Sequence, residues 1–398
     1  MGRTVRSKNF DKTPYVKPVE KVELSEKNLK GRLFLVVLLI MVAAVSFAYG
    51  VNSILTRNAG WQEINAISKS DSVNCSEDFV FLYNLGAGGA SATAEGKIIS
   101  GLYTEATENA YKLFHTKELF ENVNNIYYIN QHPNEEIVVD DMLYKTFDLI
   151  SQFQNRHIFL GPVYALYDDI FYCTEDFQIV DFDPYLNEEI AAYYQEIADF
   201  AKDPEMINIH VLGNNTIKLH VSEEYLQYAK ENEIHEFIDF FWMKNAFIVD
   251  YIADLMISNG HTRGSISSYD GFIRNIDTTS ESYSFNIYHR NADELVLKEI
   301  WQYNGPMNMV YYRDYVMNSQ DEYHYYFLDN GEVRTQYVDI TDGKPRTSLT
   351  DLYVYSETAN CAEMMLQTVD MYVSDVFDKS GIPALAGQNI HTMYFINE

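Results

Sequence analysis

The longest unbroken apolar pattern lies at residues 33–51, LFLVVLLIMVAAVSFAYGV, and the charge-free run continues through Thr56. Nineteen residues at ~1.5 Å rise each cover a hydrocarbon core of about 30 Å. A core helix of this length would carry a polar face, and this one carries none. The pattern therefore predicts a transmembrane anchor over 33–53. The next stretch, 54–76, is polar with scattered apolar residues and predicts a stalk.

From Phe79 the pattern shortens. Phe79–Leu85 alternates and predicts a strand, followed by a loop of small residues from Gly86 to Ser91. Apolar positions then recur at helical spacing over 97–118, 140–153, 161–172 and 187–202. Short strand-like runs follow at 207–212 and 216–221, separated by the turn signal Gly213-Asn214-Asn215. One apolar helix, 245–258, runs into Asn259-Gly260, a suitable C-terminal stop. Strand-like runs rich in Tyr, Val and Ile dominate 264–357. A helix over 360–374 and a strand over 392–396 close the chain. Helices and strands in mixed order predict one α+β domain over 77–398.

Charge orients this layout. Residues 1–32 hold nine Lys/Arg against four Asp/Glu, which predicts that this tail stays in the cytoplasm and the bulk of the chain lies outside it, at the cell membrane. Cleavage as a signal peptide is the alternative. Ser46-Phe47-Ala48 offers a small-x-small site, although the preceding 32 residues are long for a signal peptide. The net charge is −29, so removing the +5 of the tail leaves −34 on the remainder. Such a surface repels polyanions and excludes a nucleic-acid-binding function. Cys75, Cys173 and Cys361 are widely spaced with no C-x-x-C, so neither a zinc site nor a disulfide framework is signalled.

Common catalytic motifs fail. The loop from Gly86 to Ser91 has Ser91 where a dinucleotide fingerprint needs its third glycine, and Lys97 lacks the following Ser/Thr of a phosphate-binding loop. No H-E-x-x-H and no G-x-S-x-G occurs. The 32 tyrosines are scattered along the strands and read as half-buried sheet residues.

One ordered set of segments does carry information. Residues 238–250 read I-D-F-F-W-M-K-N-A-F-I-V-D, and 265–271 read S-I-S-S-Y-D-G. Residues 336–345 read Q-Y-V-D-I-T-D-G-K-P, and 362–367 read A-E-M-M-L-Q. Upstream lie N-I-Y-Y-I-N at 125–130 and R-H-I-F-L-G-P-V at 156–163. In this order they resemble the ApbE family, the extracytoplasmic FAD:protein FMN transferases, whose segments read D-L-G-G-I-A-K-G-Y-A-V-D, A-L-V-N-I-G-G, H-I-I-D-P-R-T-G-K-P and A-D-A-L-A-T. The earlier two match S-x-I-x-x-L-N and F-D-I-T-V-G-P-L. The resemblance covers roughly residues 78–398 and implies an ApbE-like (T-fold-type) domain of antiparallel strands and helices.

It also implies chemistry. The family moves FMN from FAD onto a Ser or Thr hydroxyl of a partner and releases AMP. Breaking a diphosphate calls for a metal to neutralise charge, and Mg²⁺ demands hard oxygen ligands. By position, the resemblance assigns cofactor contacts to Asp239, Lys244, Asn245, Asp270, Gly271, Asp339 and Gly343. It assigns metal contacts to Glu363 and Gln367, and the catalytic segment to Gln336 and Asp339. The implied partner is an extracytoplasmic membrane or surface protein, a flavoprotein in particular.

The same alignment exposes losses. Phe241-Trp242 replace tandem glycines, Asn245-Ala246 replace K-G with Lys244 displaced by one, and Asp270 replaces a glycine. Gln336 stands at the His, Glu363 at the ligand Asp and Gln367 at its companion Thr. His157 and Phe159 replace an Asp and a Thr. Gln336 cannot exchange protons near neutral pH, and the extra methylene of Glu363 shifts its oxygens by about 1.5 Å, beyond the tolerance of a Mg²⁺ site.

These losses lead to the expectation of a membrane-anchored binding or assembly module without flavin transferase activity, with FAD and Mg²⁺ retained or no cofactor at all. The alternatives are a working Mg-dependent transferase and an unrelated surface domain binding a cell-wall polymer. A minor expectation is Ca²⁺ held by Asp239, Asp250, Asp270, Asp339, Asp342 and Glu363. Phe241 and Trp242 are expected to fill the ligand volume against Phe159.

Protease added to intact protoplasts is expected to degrade residues beyond about 57 and spare the tail. Recovery of a soluble chain beginning near Tyr49 would instead show cleavage.

Overall fold

The computed structural model describes residues 29–55, 59–67, 73–89, 91–279, 281–291 and 294–396; the expected cytoplasmic tail, up to residue 28, lies outside them. The chain divides into two units, Met1–Ile54 and Leu55–Glu398. In the first, the helix Leu29–Leu55 contains the 19-residue stretch Leu33–Val51, with a mean hydropathy of 2.6. By length and composition it can cross a membrane, and a signal sequence would share those properties.

The second unit is built on a seven-stranded sheet in which every neighbouring pair is antiparallel. In spatial order its strands are Gly60–Glu63, Phe79–Leu85, Gly264–Ser268, Phe272–Asn275, Met307–Arg313, Asp351–Ser356 and His391–Tyr394. The period of two sends alternate side chains to opposite faces. Val310, Tyr312, Leu352 and Val354 join the main core, where the helices Ala92–Phe114, Lys244–Ser258 and Cys361–Tyr372 also bury their apolar residues. Tyr311 and Tyr353 belong to a second, smaller core with Ile287 and Tyr315, and their rings stack at 4.1 Å. A long ribbon, Ser282–Asn291 with Glu294–Asn304, contributes to that second core. The Tyr353 hydroxyl locks it there, accepting from the Tyr288 N–H (2.9 Å) and donating to the Tyr288 carbonyl (2.7 Å).

The stalk expectation over 54–76 needs correction. Gly60–Glu63 pairs with Phe79–Leu85 as the sheet's edge strand, the Ile64 N–H donates to the Phe81 carbonyl (2.7 Å), and Ile64 is buried. Four residues with mostly exposed side chains carry too little alternation to be read as a strand. The unpaired backbone edge of Phe79–Leu85 recruits them. Residues 56–58 and 68–72 of the same stretch lie outside the described residues.

The segments that carry the family resemblance are load points of the packing. The Asn130 side chain donates to the Ile238 carbonyl (2.9 Å) and accepts from the Ile238 N–H (2.9 Å). The Asp239 N–H donates to the Ile158 carbonyl (2.9 Å). A Cβ on Gly161 would sit 2.6 Å from the Glu236 carbonyl oxygen. Asp250, buried mid-helix, accepts the Cys361 and Ala362 N–H groups (3.1 and 2.8 Å) at the start of the helix Cys361–Tyr372, and pairs with Arg274 at 3.1 Å. Burial raises its pKa to about 6 despite these donors.

Gly343 takes φ +73, and a Cβ there would lie 2.8 Å from both the Cβ and the carbonyl oxygen of Tyr194. Gly213 takes φ +88 with nothing within 4 Å of its missing Cβ. Gly343→Ala is therefore expected to cost at least about 3 kcal/mol and Gly213→Ala about 1 kcal/mol, read from urea unfolding. Equal losses would show that backbone strain alone decides both.

Candidate functional site

Seven stretches of chain converge on a cleft of about 710 Å³. One wall is Asp239, Phe241, Trp242, Lys244 and Asn245, held in place by the Asn130 and Ile158 contacts just described. A second comes from the end of the helix Ala92–Phe114 and the loop after it, with Tyr111, Phe114, His115 and Lys117. A third comes from 164–172, with Tyr164, Asp168, Phe171 and Tyr172. Asp78, Glu236, Tyr269, Asp270, Tyr323, His324 and Gln336 also line it.

Asp270 is the polar centre of this cleft. It is 4% exposed, and its carboxylate accepts from His324 Nδ1 (2.6 Å), from Gln336 Nε2 (3.1 Å) and from the Asn245 amide. Burial favours the neutral acid, yet the His324 charge and these three hydrogen bonds hold Asp270 below the ordinary carboxylate range. Burial likewise opposes charge on His324, and the Asp270 carboxylate outweighs it, so the imidazole pKa lies above its ordinary value. Arg313 stiffens the arrangement by donating to the Tyr269 carbonyl (2.6 Å) and pairing with Asp321 (2.5 Å). Two of the substituted side chains, Asn245 and Gln336, thus donate to a third, Asp270.

The bulky replacements are accommodated on the wall. Phe241 keeps a positive φ of +50, a conformation that suits a glycine and costs a bulky residue roughly 1–2 kcal/mol. The Asp239 carboxylate holds it by accepting the Phe241 N–H (2.7 Å), and its ring stacks on Tyr164 at 4.9 Å. Trp242 is buried, parallel to Phe272 at 5.9 Å and edge-on to Tyr337 at 5.0 Å. Both line the cleft rather than fill it. Phe159 is buried too, but its face is taken by the Arg156 guanidinium at 4.4 Å, so the expected packing of Phe241 and Trp242 on Phe159 gives way to Tyr164 and Phe272.

Carboxylates dominate the remaining charge. Burial raises the pKa of Asp78, Asp168 and Asp239, and it pushes Glu236 up to about 7. Lys244 also loses solvation, but Asp78 and Asp239 outweigh that loss and keep its pKa above the ordinary amine value.

Of the sequence candidates, Asp239, Lys244, Asn245, Asp270 and Gln336 line the cleft. The others have structural partners. A Cβ on Gly271 (φ +93) would meet the Tyr311 carbonyl oxygen at 2.1 Å, so that glycine answers a close approach of protein backbone. Gly343 faces Tyr194. Asp339 accepts the Thr341 N–H (2.7 Å) and faces Arg346 at 3.6 Å. Glu363 closes a capping box with Asn360, in which its carboxylate accepts the Asn360 N–H at 3.1 Å. Gln367 follows one turn later on the same helix, half-buried.

The acidic set expected for Ca²⁺ is dispersed, with Asp250 on Arg274, Asp342 on Arg346 and Asp270 on His324. Among the described residues no three His, Cys, Asp or Glu side chains converge as a metal site would need. Sequence reasoning missed His324, Asp78, Asp168 and Glu236. Glu236 stands three residues before Asp239, and His324 twelve before Gln336, but neither spacing shows that the side chains meet.

In architecture the chain is similar to the ApbE protein of Thermotoga maritima, with a TM-score of 0.54 and 12% identity, covering 84% of this chain and 94% of that one. It is also similar to the flavin transferase ApbE of Vibrio cholerae, with a TM-score of 0.54 and 14% identity, covering 85% and 94%. No protein-family model and no curated protein matches the chain by sequence. The fold is ApbE-like, α+β with an apolar N-terminal helix, as the ordered segments predict.

The raised pKa of His324 means that its contribution to stability is complete below the unfolded value near 6.5 and fades as pH rises through the folded one. Asp270, held low, contributes above its unfolded value of 3.8 and loses that contribution as pH falls through its folded pKa. His324→Asn is expected to cost roughly 2–3 kcal/mol near pH 5–6, with the deficit shrinking toward pH 9 in thermal melts. A deficit that does not change with pH would remove the ion pair from this account.

Proposed function

We propose that this protein is a membrane-anchored module whose ApbE-like domain lies outside the cytoplasm and binds a ligand in its cleft without transferring FMN. The single observation behind this reading is the set of hydrogen bonds that converge on Asp270. At the positions where the family resemblance places a lysine, a glycine turn and a histidine, the amides of Asn245 and Gln336 instead donate to the Asp270 carboxylate.

The residues present do not suit FAD with Mg²⁺. Carboxyl groups, Asp78, Asp168, Glu236, Asp239 and Asp270 among them, outnumber the cations Lys117, Lys244 and His324 in the cleft lining, so a diphosphate brought there meets a net excess of like charge. The Glu363 carboxylate is engaged in its helix cap. Gly271 answers to the Tyr311 backbone. No catalytic step through FAD or a metal is therefore derived.

Anchoring is supported by the apolar helix within Leu29–Leu55 and the basic residues before it. A surface or membrane protein beside the anchor is the partner this location offers, and a flavoprotein is the one the resemblance favours. The likeness in fold supports an ApbE-like domain over an unrelated one. The working-transferase reading keeps one observation in its favour, a cleft of about 710 Å³, within the 300–1,000 Å³ of small-molecule sites.

Incubating the purified chain with FAD, Mg²⁺ and a Ser/Thr acceptor protein is expected to leave no flavin fluorescence on the acceptor after denaturing electrophoresis. A fluorescent acceptor band would replace this reading with the transferase.

A further inference from the structure

The ribbon of Ser282–Asn291 and Glu294–Asn304 is fixed at one end and bare toward its turn. Phe285 and Trp301 pack on the second core, whereas the side chains from Glu294 to Ile300 are exposed. Leu295, Val296, Leu297 and Ile300 are 42, 37, 45 and 55% exposed. Glu294–Asn304 pairs with Ser282–Asn291, and its other edge has no strand partner among the described residues. An unpaired apolar edge presents a row of backbone N–H and C=O groups to any strand that fits it.

The residues at this edge say which strand fits. Residues 294–298 read E-L-V-L-K, a run that is symmetric about Val296 except for the sign of its end charges. Set antiparallel against a second copy, it places Glu294 opposite Lys298, Leu295 opposite Leu297, and Val296 opposite Val296. Directly opposed side chains stabilise a sheet when they are apolar or oppositely charged, and like charges there destabilise it. Lys298 stands at an irregularity of the ribbon, where the register passes from Ile287 opposite Glu299 to Tyr288 opposite Leu297 and leaves Lys298 with no residue across from it. Neither Glu294 nor Lys298 forms an ion pair among the described residues. A lysine at a bulge keeps an edge from pairing with strands at large, and the Glu294 of a second copy is the group that answers it.

We propose that this edge is a self-association surface, on which two copies of the chain pair through residues 294–298 in antiparallel register about a two-fold axis at Val296. Their ribbons then form one continuous sheet, and each Glu294 meets the Lys298 of the other copy. A pairing this short buries less than the roughly 1,200 Å² of a stable interface, so the association is reversible. It does not depend on what the cleft binds.

The test is cysteine trapping on the full-length chain in detergent, in a Cys173→Ser background, with the buried Cys75 and Cys361 kept. Val296→Cys lies on the two-fold axis, where opposed Cα atoms fall within the roughly 4.4–6.8 Å span of a disulfide. Mild oxidation is expected to link it into dimers at least about fivefold faster than Gln302→Cys, exposed on the same strand but outside the paired run. Added to the Val296→Cys chain, Glu294→Lys or Lys298→Glu alone should slow linking at least about threefold at an unchanged melting temperature, and the two exchanges together should restore it. Equal rates for Val296→Cys and Gln302→Cys, single exchanges without effect, or a double exchange that fails to restore linking would overturn the proposal. So would oxidation of intact cells that links Val296→Cys to a different protein and gives no dimer of this chain.

Discussion

A carboxylate removed from water must be neutralised, hydrogen-bonded or protonated, and Asp270 meets that requirement with three partners at once. His324 supplies charge, while Asn245 and Gln336 supply amide donors. Each partner comes from a different stretch of chain, so one buried charge ties together the first turn of the helix Lys244–Ser258, the turn between two sheet strands, the segment around Glu322–His324 and the start of the 336–345 turn. The substituted positions are therefore interdependent. A glycine at 270 would strand two amides and an imidazolium, and a histidine at 336 would stand opposite a carboxylate already paired.

The same arrangement explains how bulky side chains coexist with an open cleft. Phe241 occupies a left-handed backbone position and is compensated by the Asp239 cap and the Tyr164 stack. Trp242 turns into the aromatic layer of Phe272, Tyr312 and Tyr337 instead of the cavity. Aromatic replacement of small residues here lines a site, since each ring finds a buried face to lie on. The cleft offers a ligand ring faces and carboxylates.

The segments that keep the family resemblance do so for packing. Asn130 pairs reciprocally with Ile238, Gly161 admits the Glu236 backbone, Asp250 caps a neighbouring helix, and Gly343 clears Tyr194. None of these contacts requires a cofactor. These contacts hold the ApbE-like fold whether or not a ligand occupies the cleft.

That division marks what could be read in the residues alone. The apolar helix, the strand at Phe79–Leu85, the helices near 141–153, 188–202 and 244–258, and the α+β class follow from local periodicity and turn chemistry, which act over a few residues. Asp239, Lys244, Asn245, Asp270 and Gln336 could be brought together only through the resemblance, and the structure gathers them around one cleft. The edge strand at Gly60–Glu63, the imidazole of His324, and the carboxylates of Asp78, Asp168 and Glu236 left no such trace. Their roles depend on contacts made across long stretches of chain, and no local pattern encodes which polar groups burial will force together. The sequence by itself determined the elements and the framework; the tertiary structure decided which charges share a low-dielectric cleft, because a side chain's protonation and partners are set by what surrounds it after folding.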